Sequence, residues 1–435
     1  MNNESVAVHA PPGSSKNILV PLAMIAGLFF IFGFVTWLNG SLMPYLELIL
    51  KLNPVQAYLI ISSFYFSVCI FSIPSSWIIN SVGYKNGMAL GLGVMAAAAL
   101  FYIPAAKGQS FLLFLLAQFV MGAGQTLVQT AVNPYVVKMG PEESAARRIS
   151  IMGILNKSAG IVAPIVFTAL ILGGMSDTHT TNTLSVEEID QLANNLIMPY
   201  IYMACIIGVV ALLVRFSSLP ELESEESKDD KLPLREVFQF PNLILGVIAL
   251  FFYVGVEVIA GDTIGSYGRS IGFSNFSILT SITMSCMVVG YILGILLIPR
   301  VISQQNMLLI SAVLGVVLSL GIVFGNPEST AISGLFSFAG VPAIPNTILC
   351  IALLGLANAI VWPAIWPLAL SGLGKYTATG SALLIMAIAG GAVLPLILGG
   401  VSHLVDRQTA YIVMAPCYLF ILFYAAKGHK LRSWK

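Results

Sequence analysis

Three charged side chains, Lys157, Glu257 and Asp262, stand inside long apolar stretches. An ionisable group at membrane depth is costly unless it faces a cavity, a partner or a bound ion, so each is a candidate site residue. Glu257, with Val254, Val256, Val258 and Ile259 around it, is the hardest to explain as structural. Lys157 lies ~12 Å into its stretch at helical rise; the alternative is that it snorkels to the nearer interface. Asp262 lies near the end of its stretch, where an interfacial position is the alternative.

Uncharged polar residues gather in four stretches. One holds Thr36, Trp37, Asn39 and Ser41; a second holds Gln125, Thr126, Gln129, Thr130 and Asn133. Gln125, Gln129 and Asn133 are four apart, so on a helix they form one polar stripe. Asn156 stands beside Lys157, and Asn346, Asn358, Trp362 and Trp366 share another stretch, the last three again four apart. Amides hydrogen-bond hydroxyls in both directions. Indole faces cover C–H surfaces while the N–H binds oxygen. A stripe of amides opposite a stripe of indoles suits a sugar. Packing or interfacial aromatics are the alternative reading of the tryptophans.

The elements that position these groups follow from composition. Of 435 residues, 57% are hydrophobic and 9% charged, and mean hydropathy is +0.92. A soluble domain carries about 25% charged residues, so most of this surface faces lipid. Net charge is +1, which gives no indication of nucleic acid. The cysteines (Cys69, Cys205, Cys286, Cys350, Cys417) lie singly in apolar segments and read as small core residues. His9, His179, His403 and His429 lie at termini or helix ends, which makes a metal site an unexpected feature. No P-loop or HExxH pattern occurs, so neither an enzyme nor a nucleotide-driven pump is expected. The first residues lack a signal-peptide pattern.

A spanning helix needs about 20 apolar residues. That ruler predicts spans over 18–49, 54–80, 87–106, 111–137, 149–174, 196–217, 241–266, 274–299, 306–325, 345–371, 376–404 and 407–426. The charged segment 218–240 reads as a connector between halves 18–217 and 241–426, with tails 1–17 and 427–435. Lys16, Lys85, Lys138, Arg147, Arg148, Arg215, Arg235, Arg300 and Lys375 fall on the side of the termini, whereas the other side holds Lys51, Lys107, Arg269 and Arg407. The positive-inside rule then places both termini in the cytoplasm. Asn133-Pro134 matches Trp362-Pro363 at an offset of 229, and Ala159 to Pro164 resembles Gly390 to Pro395 at an offset of 231. These matches suggest parallel duplicated halves; ordinary helix packing is the alternative.

Gly33-Phe34-Val35-Thr36-Trp37-Leu38-Asn39 with Pro44 resembles the fucose permease/glucose-galactose transporter branch of the major facilitator superfamily. Thr130-Ala131-Val132-Asn133-Pro134-Tyr135 followed by Gly140-Pro141-Glu142 is similar to its fourth-helix signature. Tyr253 to Val258, Gly372-Leu373-Gly374, Gly380-Ser381 and Gly390-Gly391-Ala392 extend the likeness over residues 25 to 405. The resemblance implies an all-α membrane protein of the major facilitator fold, with about 12 transmembrane helices in two pseudo-symmetric six-helix bundles. It also implies a sugar:cation symporter working by alternating access. Two positions depart from the pattern. Gly40 stands where the fucose permease has Asp, and Gln129 where it has Glu. Those carboxylates are that branch's proton-coupling candidates, and neither Gly nor Gln carries a proton in this way. Lys157 replaces a small polar residue, and a new cation beside one carboxylate suggests a compensating pair.

The combined expectation is a cation-coupled hexose importer of the bacterial inner membrane, a monomer in the lipid bilayer without cofactor. Sugar would bind among Asn39, Gln125, Gln129, Asn133, Asn156, Asn358, Trp362 and Trp366. Glu257 would couple Na+ or H+, with Lys157 and Asp262 beside it. Lys157 would either pair across the halves in the empty carrier or stand as a fixed charge, which would make a uniporter. An N-acetylhexosamine carrier is a same-class alternative. A non-transporting membrane sensor is a different-class one, disfavoured by short tails.

Overall fold

The computed structural model describes residues 19–138, 145–172, 186–217, 219, 221, 234–334 and 343–434. The expected N-terminal tail and most of the connector 218–240 lie outside the described residues, as do His9 and His179. Among the described residues there is no strand. Twelve helices are long and apolar enough to cross a membrane. We label them α1 (Val20–Ile49), α2 (Pro54–Val82), α3 (Tyr84–Lys107), α4 (Phe111–Val136), α5 (Arg148–Ile171) and α6 (Glu187–Phe216). The second six are α7 (Pro241–Asp262), α8 (Phe276–Leu297), α9 (Gln304–Phe324), α10 (Asn346–Leu370), α11 (Thr379–Leu404) and α12 (Thr409–Lys430). We call the side where α1 begins the terminal face, and the side where it ends the opposite face.

Local chemistry sets several boundaries. The turn before α2 closes with a capping box, in which Gln56 N donates to Asn53 Oδ1 at 2.9 Å and Asn53 N to Gln56 Oε1 at 3.1 Å. Pro54 occupies the first helical turn, where its missing N–H leaves no bond unmade. α6 begins nine residues before its expected start. Its first segment, Val186–Asn195, carries Glu187, Glu188 and Asp190 and is amphipathic, so an apolar ruler misses it. α7 ends at Asp262, and the chain turns at Thr263 and resumes as Ile264–Ser270. α10 is two pieces, Asn346–Asn358 and Val361–Leu370. α11 passes through a short 3₁₀ turn at Ala387–Ala389.

The helix pairings repeat. Within the first six, α1 packs on α5, α2 on α4, α3 on α4 and α3 on α6. Within the second six, α7 packs on α11, α8 on α10, α9 on α10 and α9 on α12, the same pairs six helices later. The two groups meet where α2 packs on α11, α5 on α8 and α1 on α7. Large apolar side chains such as Trp77, Leu212, Leu213, Phe216, Val317 and Phe324 are left on the outside. That is the pattern of a bundle surrounded by lipid rather than water.

The crossing of α1 and α7 depends on Gly40. A Cβ there would meet Gly261 O at 2.6 Å, Thr280 Oγ1 at 2.7 Å and Asp262 Cα at 2.8 Å. Only a residue without a side chain lets these backbones touch.

Candidate functional site

The charges foreseen in α5 and α7 meet. Lys157 Nζ donates to Glu257 Oε1 at 2.7 Å, joining the first six helices to the second. Both residues are buried. The ammonium also lies 4.1 Å from the centroid of the Trp37 ring on α1, a cation–π contact that adds to its stabilisation. Trp37 Nε1 donates to Asn156 Oδ1 at 3.2 Å, and Asn156 Nδ2 reaches Phe29 O at 3.4 Å. Asn156 can approach α1 this closely because Gly33 stands opposite, where any Cβ would strike the Asn156 carbonyl.

From Glu257 the array continues into the second group. Tyr253 stands one helical turn before it on the same helix and faces its carboxylate. The Tyr253 ring lies 6.3 Å from that of Trp362, and Trp362 lies 5.7 Å from Trp366. Trp366 Nε1 is buried without a hydrogen-bond partner, while the two indoles are partly exposed. Trp37, Lys157, Glu257, Tyr253, Trp362 and Trp366 therefore form one line across the junction of the two groups. It carries two partly exposed indoles, one buried indole N–H without a partner and an ion pair.

The stripe on α4 is graded. Gln125 is buried, Gln129 partly exposed and Asn133 exposed, so access increases toward the terminal face. Gln125 Nε2 donates to Thr36 Oγ1 on α1 at 2.8 Å. Asn39 accepts from Gln118 Nε2 at 2.6 Å, and Tyr102 OH donates to Gln118 Oε1, a chain that stitches α1, α4 and α3. Asn358 is fully buried and accepts from Tyr418 OH at 2.8 Å, between α10 and α12. Four-residue spacing had set Asn358 on the face of Trp362 and Trp366, but the break at Ala359 and Ile360 separates it from them. Lys157 and Glu257 thus meet at the junction, Asn156 is held to α1 beside Lys157, and Trp362 and Trp366 follow Tyr253 within the second group, whereas Asn39, Gln125 and Asn358 are bound inside their own groups. Asp262 is completely buried, against Gly40.

On the opposite face lies a cluster that spacing did not reveal. Glu47, near the end of α1, accepts from Arg407 Nη2 at 3.0 Å and Nη1 at 3.3 Å, and from Arg269 Nη1 at 3.4 Å. Arg407 Nη1 also donates to Ser266 O and Arg269 Nη1 to Pro44 O. Both arginines belong to the second group, so this face is fastened shut by ion pairs between groups. The packing of Tyr45 on Phe276, with ring centroids 5.6 Å apart, adds to the seal. Burial pulls the Arg269 guanidinium down from its ordinary value, and Glu47 opposes that.

Residues 25–395 match the Major Facilitator Superfamily. The chain belongs to that superfamily. Within it, the chain is 30% identical over 427 residues to a glucose/galactose transporter of Brucella abortus, covering 97% of each protein. It is 29% identical to the L-fucose-proton symporter of Escherichia coli, covering 96% of this chain and 95% of that one. The crystal structure of the Escherichia coli fucose:proton symporter superposes with a TM-score of 0.68 at 26% identity, covering 94% of this chain and 98% of that chain. The repeated pairings of α1–α6 and α7–α12 are thus the two six-helix bundles of a major facilitator. The Lys157–Glu257 pair stands at the bundle junction, and the Glu47 cluster stands at one of the two faces through which a carrier of this superfamily must open.

Among the described residues no group of three or more His, Cys, Asp or Glu side chains could hold a metal ion. The five cysteines are free.

Proposed function

We propose that this major facilitator carries a hexose-like sugar across a bacterial inner membrane by alternating access, coupled to a cation. Both termini would lie in the cytoplasm, following the excess of Lys and Arg on that side. Residues 18–217 and 241–426 would be the two rocking halves, 218–240 their connector, and the working unit a monomer without cofactor. The chain would bind and reorient, and make no covalent bond.

The observation that carries this reading is the aromatic and charged line from Trp37 through Lys157, Glu257 and Tyr253 to Trp362 and Trp366. It passes from one bundle to the other through the Lys157–Glu257 pair. A ligand resting on it touches both halves and so responds to their relative motion. The indole faces would cover the C–H face of a sugar ring, and the free Trp366 Nε1 would donate to a hydroxyl. Gln129 and Asn133 would meet the hydroxyls exposed toward the terminal face. The relatives named for glucose, galactose and fucose support the same substrate class.

The test is uptake of radiolabelled D-glucose, D-galactose and L-fucose into proteoliposomes under a proton gradient, a sodium gradient or none. Accumulation of at least one sugar above its equilibrium level under a cation gradient is the expected result. Equilibration without accumulation would leave a uniporter. Failure of all three sugars, with protein oriented and folded, would overturn the substrate class.

A further inference from the structure

One buried charged group has no place in the ion pairs described above. Asp262 ends α7, is fully inaccessible, and has neither carboxylate oxygen hydrogen-bonded. Glu257 lies five residues earlier on the same helix, ~7.5 Å toward the terminal face, and is already neutralised by Lys157 at 2.7 Å. The titratable groups facing Asp262 are that same Lys157 on α5, Glu257 on α7 and Tyr65 on α2. The Gly40 amide of α1 also faces it but belongs to the α1 ladder. Thr280, the nearest hydroxyl on α8 to this crossing, donates to Gly261 O at 2.8 Å. No cation or donor is therefore left to balance a carboxylate at this position. A bare ionised carboxylate buried without a partner is far too costly to persist. The neutral acid fits.

We propose that Asp262 is the binding site of the co-transported proton, and that the Lys157–Glu257 pair stays charged throughout as the element that orients substrate. The inference rests on the transport reading above and names its coupling group. The geometry also supplies the gate. Asp262 is covered by α1 at Gly40, where the two helices are in backbone contact, and the opposite face is fastened beyond it by Glu47, Arg269 and Arg407. When those bonds part and α1 leaves α7, water from the opposite side reaches the carboxylate, and one Oδ takes one proton. The neutral side chain then lets Gly40 close over it. Release toward the terminal side requires a further movement that brings water to Asp262, which is inaccessible in this closed arrangement; the O–H bond then breaks, the proton leaves to that water, and the carboxylate is regenerated.

Two measurements test the proposal, one of them independent of any sugar. In the first, the full-length protein labelled with [4-13C]aspartate is examined by infrared spectroscopy in lipid at neutral pH. The remaining aspartates are Asp177, Asp190, Asp229, Asp230 and Asp406, of which Asp190 and Asp406 are exposed. A protonated aspartyl C=O band is expected in the wild type and should vanish in Asp262→Asn. Absence of the band from the wild type, or its persistence in the variant, overturns the assignment. Because the wild-type spectrum alone is decisive in one direction, a misfolded variant does not remove the test.

In the second, proteoliposomes carry wild type or Asp262→Asn under an imposed proton gradient with radiolabelled sugar. Wild type should accumulate sugar and Asp262→Asn should only equilibrate it. Accumulation by both proteins, or by wild type with sodium alone, sinks the Asp262 proposal and leaves sugar transport standing. No sugar movement by wild type alongside a clear aspartyl band would instead overturn the transport reading.

Discussion

Glu47 is the side chain on which closure of the opposite face most depends, and Glu47→Gln tests that directly. The substitution keeps the shape and removes the charge. Two arginines, now facing each other with no anion between them, must then be held by an amide. Removing one partner of a desolvated charge pair costs about 2–5 kcal/mol, much of it from the charge left behind. The guanidinium side chains are 20% and 21% exposed, so water recovers part of the loss and the low end of that range applies. About 2 kcal/mol is roughly thirtyfold in an equilibrium constant. A closed-to-open preference of about 99:1 would fall to about 3:1, a population that spectroscopy sees directly. The assay is double electron–electron resonance between nitroxides at Lys107→Cys and Ser274→Cys, with native cysteines replaced. Both positions are exposed on the opposite face, one in each bundle. Glu47→Gln should add a long-distance population absent or minor in the parent. An unchanged distance distribution, with the variant folded, would refute the idea that these ion pairs hold the face shut.

Three further outcomes follow from contacts already described. Lys157→Met leaves Glu257 buried without its cation and should lower stability by about 3–5 kcal/mol, whereas the double variant Lys157→Met/Glu257→Leu should recover most of it; unfolding in detergent followed by circular dichroism reads both. Gly40→Ala places a Cβ within 2.6–2.8 Å of Gly261 O, Thr280 Oγ1 and Asp262 Cα, so the same spin-label pair should report an opposite face that no longer closes fully. Trp366→Phe keeps a ring but deletes the free indole donor, and should weaken sugar binding by about 1 kcal/mol, near fivefold; tryptophan-fluorescence titration measures it.

The fold was largely legible because lipid imposes one rule on every helix, a run of about 20 apolar residues. Boundaries failed where that rule is locally suspended. The charged first turns of α6 at Val186–Asn195 and the turn at Thr263 have no hydropathy signature. The site was half legible. Lys157 and Glu257 announce themselves as charges in apolar surroundings, and their union across the bundles was foreseen as one possibility. Asn39, Gln125 and Asn358 looked equivalent to Gln129 and Asn133 because spacing reports which residues share a face. It does not report whether that face meets a cavity or, as for Asn358, the Tyr418 hydroxyl of a neighbouring helix. Glu47 was missed for a different reason. It lies near a helix end, where a lone charge reads as interfacial, and its partners Arg269 and Arg407 are 222 and 360 residues away.

The placement of Lys157 and Glu257 on separate bundles also limits how such a carrier can diverge. Either residue replaced alone strands the other's charge inside the membrane, so a lineage leaving this arrangement must pass through a poorly stable intermediate or change both codons almost together. Relatives that lack the pair are therefore expected to lack both members at once. A natural variant that keeps one should carry a new opposite charge within reach of it, on α1, α5 or α7.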